Sequence, residues 1–205
     1  HNPQRLRQFC TNMGGAFIKF GQFFSIRSDI LPPEYCRALQ NLYDKVPPFP
    51  AEEARAIIER ELGAPVDELF ETFDDVAIGA ASFGQGHLAT LKGENEGKLA
   101  VVKVSRPNSA EQIEIDTRLL LVIGWIVDQS SVLGKIKLTP IFRDFARWTR
   151  REVHYMQEAK NADHLHEMSE WNVRQRVPFI YWEHTTNKVL TMEYLEGIPF
   201  SEIVE

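Results

Sequence analysis

The sequence predicts an α+β fold in which a helical N-terminal segment precedes a small antiparallel sheet and further helices. In the first part of the chain, apolar residues recur every three or four positions, which is the spacing of one helix face. After residue 73, short apolar or alternating segments are separated by Gly-rich turns, a pattern typical of antiparallel strands. We therefore expect two parts, residues 1–73 and residues 74–205.

The N-terminal part begins with one long predicted helix that carries a phenylalanine-rich stripe. Gly14 and Gly15 weaken this helix locally, because glycine lacks the side chain that limits the backbone. The stripe consists of Leu6, Phe9, Met13, Phe17, Phe20 and Phe24.

Three further helices are expected before the sheet. The proline pair at 32–33 ends the first helix and fits the first turn of the next, which runs to Asp44. A helix over residues 51–62 stops at Gly63, and residues 65–73 add a short one.

The second part alternates between strand and helix signals. The strand candidates are Val76–Ile78, His87–Leu91, Leu99–Val104, Phe179–His184 and Lys188–Tyr194. The helix candidates are Ala110–Gln129 and a segment from Pro140 to about Glu170.

Composition excludes some classes of function. A formal net charge of −6 argues against a nucleic-acid partner, because phosphate neutralisation needs clustered and uncompensated Lys and Arg. Cys10 and Cys36 lack the spacing of metal ligands, which indicates an intracellular protein with reduced thiols, although a single disulfide between them remains an alternative.

The longest apolar run, Leu119–Val127, falls short of the roughly 20 residues that a membrane span needs. No secretory leader is visible after His1.

A turn of small residues and a later lysine form the most informative pattern. Residues 79–86 join two strand candidates, and small side chains there let backbone N–H groups approach a phosphate. Lys103 in the next strand would supply the compensating charge, and Glu158 in a following helix would hold that lysine, as in protein kinases. The alternatives are an ordinary hairpin turn and a purely structural Lys–Glu pair.

With these motifs in order, the sequence resembles the UbiB-type (AarF-like) atypical kinases over essentially the whole chain. The most specific match is Phe17–Gln22, which contains the Lys-x-Gly-Gln signature of the family's helical extension. Residues 79–85 resemble its alanine-rich loop, residues 103–107 its nucleotide-lysine strand, and residues 152–161 its glutamate-bearing helix.

The resemblance implies a protein-kinase-like small lobe with an inserted helix and a hinge strand, preceded by a helical extension. The resemblance also leads us to expect that the C-terminal lobe is absent from this chain. It implies ATP or ADP as cofactor, with magnesium ligands beyond these residues, and catalytic roles for Lys103, Glu158, Lys19, Gln22 and Glu152. The cofactor-binding residues would be Ala80, Ala81, Ser82, Phe83, Gly84, Gln85, Val101, Lys103, Met192, Glu193 and Tyr194. Lys19 and Gln22 would gate the phosphate end of the site; the alternative for Lys19 is an ammonium that extends to water from an apolar helix face.

The function that the resemblance implies is ATPase or small-molecule phosphotransfer supporting prenylquinone (ubiquinone-type) biosynthesis or lipid homeostasis, peripheral to a membrane. Expected partners are the nucleotide, a lipid, a quinone precursor or quinone-synthesis proteins, and a homodimer is kept open. The alternative is a pseudokinase scaffold that uses the helical extension and Leu119–Val127 to engage lipid or proteins.

Three departures from the family pattern affect these expectations. His154 replaces the aspartate of a Glu-x-Asp pair that begins at Glu152, and on a continuous helix it could bond Glu158. Gly86 and Val101 replace the usual valine and alanine of the adenine roof, so Val101 would fill the space left at Gly86. No catalytic-loop aspartate with its asparagine and no Asp-Phe-Gly motif occur, so this piece alone is expected to be inactive.

Overall fold

A computed structural model of the chain describes residues 2–43, 46–130, 137–169 and 175–198. Its helices are α1 (Pro3–Met13), α2 (Gly15–Ser25), α3 (Pro33–Gln40), α4 (Ala51–Leu62), α5 (Val66–Leu69), α6 (Ser109–Ser130), α7 (Leu138–Glu152) and α8 (Tyr155–Ser169). Its strands are β1 (Phe70–Ala80), β2 (Gly84–Leu91), β3 (Leu99–Ser105) and β4 (Val189–Glu193). Short 3-10 helices cover Asn41–Tyr43, Gly93–Asn95 and Trp182–His184. The predicted α+β fold with an antiparallel sheet is confirmed.

The chain divides into two compact units. The first unit comprises His1–Phe49, Ala80–Gly84 and Ser105–His154, and the second comprises Pro50–Gly79, Gln85–Val104 and Tyr155–Glu205. These units are groupings in space, whereas the boundary expected at residue 73 concerns the order of segments along the chain. That boundary stays a prediction, and the part of residues 74–205 that follows residue 198 lies outside the described residues.

In the first unit, the single long helix predicted over residues 6–24 is wrong. Gly14 has φ 69° and ψ −160°, a backbone conformation that glycine adopts without steric cost, so α1 ends before it and α2 begins after it. The buried carboxylate of Asp116 on α6 accepts a hydrogen bond of 3.2 Å from Ala16 N–H in the first turn of α2. The phenylalanine stripe is therefore divided between two helices, and its member Phe9 is exposed while Phe17 is buried.

The first unit has an aromatic core formed by its helices. Its buried members are Cys10, Phe17, Phe24, Leu39, Leu42, Leu120, Phe142 and Phe145. A Cβ at Gly21 would lie 2.2 Å from Leu42 Cδ1 in the 3-10 helix after α3 and 3.4 Å from Leu39 Cδ2 in α3, so glycine allows α2 to pack closely against both.

The second unit contains a four-stranded sheet of order β1-β2-β3-β4, and α4 packs against β4. β3 and β4 are antiparallel, with Lys103 opposite Leu190 and Val101 opposite Met192. Side chains of directly opposed residues lie on the same face of a sheet, so these four side chains share one face.

Two expectations for the second unit are wrong. The helix over residues 65–73 is limited to α5, because the chain already enters β1 at Phe70 and its backbone hydrogen bonds then belong to the sheet. The strand over residues 179–184 is reduced to a single bridge between Ile180 and Met192, because the 3-10 helix at Trp182–His184 turns the backbone away.

The segment from Pro140 to Glu170 was expected to be one helix and is two, α7 and α8. Tyr155 N–H donates to Asn187 O at 3.1 Å, so it is not available to the carbonyl of Arg151 and the helical ladder is interrupted. His154 lies between the helices. Glu170 lies outside the described residues.

Candidate functional site

The structure brings Lys103 and Glu158 together in the second unit. Lys103 Nζ lies 2.8 Å from both Oε1 and Oε2 of Glu158, so the carboxylate accepts two hydrogen bonds from one ammonium group. The side chains are 32% and 44% exposed, which leaves the pair open to solvent and to a ligand. An ion pair with this exposure adds little to folding stability.

The position of this pair follows from the packing of α8 on the sheet. Alternation along β3 buries Val102 and Val104 on one face and leaves Lys103 on the other, beside its cross-strand partner Leu190. Tyr155, Ala159, Ile180 and Leu190 form a buried cluster between α8 and the sheet. Glu158 lies between Tyr155 and Ala159 in the sequence of α8. These two residues pack in the cluster, and the Glu158 carboxylate beside them contacts Lys103.

Tyr155 is a member of this site that sequence reasoning missed. Lys103 Nζ lies 4.7 Å from the centroid of the Tyr155 ring, which is the geometry of a cation–π contact. Tyr155 is 1% exposed, and burial raises the pKa of its hydroxyl far above the usual range, with the Glu158 charge as a smaller cause. The only available signal was its spacing of three from Glu158, which places two residues on one helix face.

The first unit contains a second lysine–glutamate pair, between Lys19 on α2 and Glu152 at the end of α7. Lys19 Nζ lies 3.0 Å from Glu152 Oε2 and 5.0 Å from the centroid of the Trp148 ring. Gln22, one turn further along α2, donates from Nε2 to Leu42 O at 2.9 Å. The Lys19 ammonium therefore contacts a carboxylate and an aromatic ring. A lysine that only extended its ammonium to water would need neither contact.

Two residues of the first unit, Ala81 and Phe83, fix the turn between β1 and β2. Ala81 N–H donates to Gly84 O at 2.8 Å and closes the turn. Phe83 is buried with Ala16, Ile113 and Val153, so its side chain anchors the turn. Ala80 is half-buried, Ala81 is exposed and Ser82 is half-buried.

Arg106 donates hydrogen bonds to this turn. The sequence analysis did not predict it as a site residue. Its backbone N–H donates to Phe83 O at 2.8 Å, and its guanidinium donates to Ala81 O at 3.4 Å and Pro47 O at 3.0 Å. Burial lowers the pKa of this guanidinium, and its Nε has no hydrogen-bond partner among the described residues. The half-buried Arg106 thus helps to hold the turn through hydrogen bonds to backbone carbonyls.

The remaining predicted cofactor-binding residues lie in or beside the sheet. Gln85 is 2% exposed, and its Nε2 lies 2.9 Å from Nε2 of the buried His87. Val101 and Met192 are cross-strand partners. Glu193 forms an ion pair with Arg176, and Tyr194 N–H donates to Leu99 O at 3.1 Å.

The side chain of Val101 lies next to Gly86, at the position where a larger residue 86 would place its own side chain. A Cβ at Gly86 would lie 3.3 Å from Val101 Cγ1 and 3.8 Å from Ile78 Cγ1. The valine side chain therefore occupies the space beside the glycine.

The proposed contact between His154 and Glu158 is wrong in its premise. His154 precedes α8 rather than belonging to it, so residues 154 and 158 do not share a helix face. Glu152 likewise belongs to α7 and pairs with Lys19, so the two glutamates of the predicted helix belong to different helices.

The described ranges contain neither a candidate metal cluster nor a helix that could span a membrane. No group of three or more His, Cys, Asp or Glu side chains there is arranged to hold a metal ion. None of the described helices is both long and apolar enough to cross a bilayer.

Comparisons with known proteins show which proteins this chain resembles. Residues 41–205 match the model of the ABC1 atypical kinase-like domain. The chain is 41% identical over 201 residues to the chloroplastic protein Activity of BC1 Complex Kinase 8 of Arabidopsis thaliana, covering 97% of this chain and 26% of that protein. It is 39% identical over 201 residues to the probable protein kinase UbiB of Marinobacter nauticus, covering 97% of this chain and 36% of that protein.

A solved structure shares the fold. Rv3197 from Mycobacterium tuberculosis, solved in complex with erythromycin, matches with a TM-score of 0.65 and 24% identity, over 93% of this chain and 47% of that one. The chain thus spans 26% of the length of the Arabidopsis relative and 36% of the Marinobacter relative.

Proposed function

This chain belongs to the ABC1 atypical kinase-like family, and from this premise we propose that it is the nucleotide-binding part of an atypical kinase or ATPase. The observation that carries the proposal is the contact of Lys103 Nζ, on strand β3, with both oxygens of Glu158, on a helix further along the chain. In protein kinases a strand lysine held by a helix glutamate binds the phosphates of ATP.

The chemistry of the pair suits a phosphate ligand. An ammonium has three N–H donors, and Glu158 accepts from Nζ through two oxygens, so within the described residues one donor is left for a phosphate oxygen. Glu158 would keep the lysine in place when the site is empty and share it when the nucleotide is bound. When bound, ATP supplies the phosphoryl group and magnesium helps to neutralise its charge.

The other predicted site residues have supporting roles in this proposal. The turn from Ala80 to Gly84 would cover the nucleotide, with Arg106 fixing the shape of that turn. Lys19, paired with Glu152, would restrict the phosphate end together with Gln22. Met192, Glu193 and Tyr194 would form the hinge.

We further propose that the activity supports prenylquinone biosynthesis or lipid homeostasis at a membrane. The relative described as a UbiB kinase supports this assignment. Cells that carry Lys103→Met in place of the native residue are expected to contain less prenylquinone. Unchanged quinone levels in a variant that no longer binds nucleotide would contradict this part of the proposal.

Calorimetric titration of the full-length protein with ADP and magnesium tests the nucleotide-binding part. Lys103→Met is expected to weaken binding about tenfold or more, because a charge-assisted hydrogen bond is lost, and Glu158→Gln should weaken it less. Lys98→Met is the matched control, since Lys98 Nζ donates to the side chain of Asn95 in the same unit. Equal affinities for the Lys103→Met and Lys98→Met proteins would contradict the proposal.

A scaffold that binds lipid is the second candidate, and one observation favours it. α6 carries a row of apolar side chains with exposed fractions between 41% and 58%: Ile115, Leu119, Val122, Trp125 and Ile126. Leu120, in the same segment, is 3% exposed and belongs to the core, so a charge there would damage the fold.

Flotation with lipid vesicles tests this candidate. A protein that docks through α6 should float, and Val122→Glu or Ile126→Glu should prevent flotation, because each places a charge on the apolar row. Gln129→Glu adds the same charge at an exposed polar position of α6 and should have no effect. Absence of flotation for the unaltered protein, or its persistence in both apolar-row variants, would remove the lipid role.

A further inference from the structure

Two side chains of α8 contact the Lys103 ammonium in the second unit. Glu158 contacts it through both carboxylate oxygens, and the face of the Tyr155 ring lies 4.7 Å away. Tyr155 and Glu158 are three residues apart on α8, so one helix presents both the charge partner and the aromatic face.

The backbone holds Tyr155 in this place independently of its side chain. Tyr155 N–H donates to Asn187 O at 3.1 Å, which ties the start of α8 to the segment that leads into β4. β4 in turn is hydrogen-bonded to β3 with Leu190 opposite Lys103. The ring and the ammonium therefore lie on elements that are fixed to each other by backbone hydrogen bonds.

The hydroxyl group of Tyr155 does not explain why a tyrosine is buried at this position. It is buried and has no hydrogen-bond partner within the ranges that the structure describes. A buried hydroxyl without a partner loses its hydration and gains nothing in return. The ring is therefore the part of the side chain that makes the favourable contact.

We propose that Tyr155 is a positioning residue that holds the Lys103 ammonium against Glu158 through the face of its ring. The proposal rests on the nucleotide-binding role of Lys103. A cation is attracted to the negative face of an aromatic ring, and this attraction is larger where the contact is shielded from water. The ring limits the positions open to a flexible lysine, so the ammonium is already placed when a phosphate arrives.

Nucleotide titrations of Tyr155→Leu and Tyr155→Phe in the full-length protein separate this role from simple core packing. Tyr155→Leu is expected to weaken ADP binding about fivefold, whereas the conservative Tyr155→Phe, which keeps the ring, should retain the affinity within about twofold. Phe70→Leu truncates another buried aromatic of the same unit and should lower thermal stability without changing affinity. Tyr155→Leu should have no further effect on affinity in a Lys103→Met background.

Two results would overturn the proposal. One is an equal loss of affinity in Tyr155→Leu and Tyr155→Phe, and the other is an undiminished effect of Tyr155→Leu in the Lys103→Met background. Either result would make Tyr155 a core residue alone. If Lys103→Met itself leaves ADP binding unchanged, the proposed function fails, and the positioning role is then decided by a second measurement.

That second measurement is the NMR signal of the Lys103 Cε protons, assigned by its disappearance in Lys103→Met. A ring 4.7 Å from Nζ should shift this signal upfield in the unaltered protein and in Tyr155→Phe, and the shift should vanish in Tyr155→Leu. A signal at the ordinary lysine position in the unaltered protein would overturn the proposal whether or not nucleotide binds.

Discussion

Gly86 and Val101 lie on neighbouring strands, and the size of each side chain limits the other. A Cβ at Gly86 would already be 3.3 Å from Val101 Cγ1, so a larger side chain at position 86 requires the valine at position 101 to shift or to become smaller. Overpacked sites in a protein interior force neighbouring groups to shift.

Gly86→Val is therefore expected to destabilise the protein by about 1–3 kcal/mol, and addition of Val101→Ala should recover most of that loss. Urea unfolding of the two single variants and the double variant measures the coupling. Additive losses would contradict the compensation. A Val101→Ala protein that binds nucleotide more tightly would contradict the idea that Val101 covers the adenine.

At the scale of single residues, the sequence predicted the charged members of the candidate site and not the aromatic ones. Lys103 and Glu158 are identifiable because their order on the chain and the motifs around them are distinctive. Tyr155 and Trp148 are not, because an aromatic residue on a helix is most often part of a core and its distance to a lysine depends on packing. Arg106 belongs to the motif of residues 103–107. Its hydrogen bonds to the turn could not be predicted, because they join segments that are distant in the sequence.

At the scale of elements, α2 carries Lys19 and Gln22, and its start is fixed by a residue far away in the sequence. Asp116 is 3% exposed and accepts hydrogen bonds from Ala16 N–H at 3.2 Å and from Gln112 Nε2 at 2.7 Å. A carboxylate at a helix N-terminus satisfies a backbone donor and interacts favourably with the helix dipole.

Asp116→Ala should therefore cost about 1–3 kcal/mol, because the buried backbone N–H of Ala16 loses its acceptor. Urea unfolding gives the loss in stability, and hydrogen exchange at Ala16 should accelerate. Asp144→Ala is the control, since Asp144 is exposed and pairs only loosely with Arg147 on α7, so its change should stay within about 0.5 kcal/mol. Equal and small losses in both variants would show that α2 does not depend on this cap.

Element types were easier to predict than element ends. Local patterns predicted the helices over residues 51–62 and 110–129 and the first three strands, the third of which carries Lys103. The breaks at Gly14 and His154 depend on a backbone conformation and on a bond to Asn187, and neither is visible in a local pattern.

At the scale of the whole molecule, the fold class and the family follow from motif order, whereas the grouping of segments into units does not. Each unit is assembled from three separate stretches of the chain, so its composition depends on long-range contacts. The four-stranded sheet carries Lys103, and α8 carries Glu158, which is the minimum that a nucleotide-binding lobe of this kind requires.

The most direct test of nucleotide binding through Lys103 is labelling of the full-length protein with an acyl-phosphate derivative of ATP, which acylates a lysine beside the bound phosphates. Mass spectrometry of the digested protein should find the acyl group on Lys103, and excess ATP with magnesium should prevent the labelling. Glu158→Gln should reduce the labelling, because the lysine loses the partner that holds it. Labelling of Lys103 that is no greater than that of the exposed Lys98, and that excess ATP does not reduce, would contradict the account.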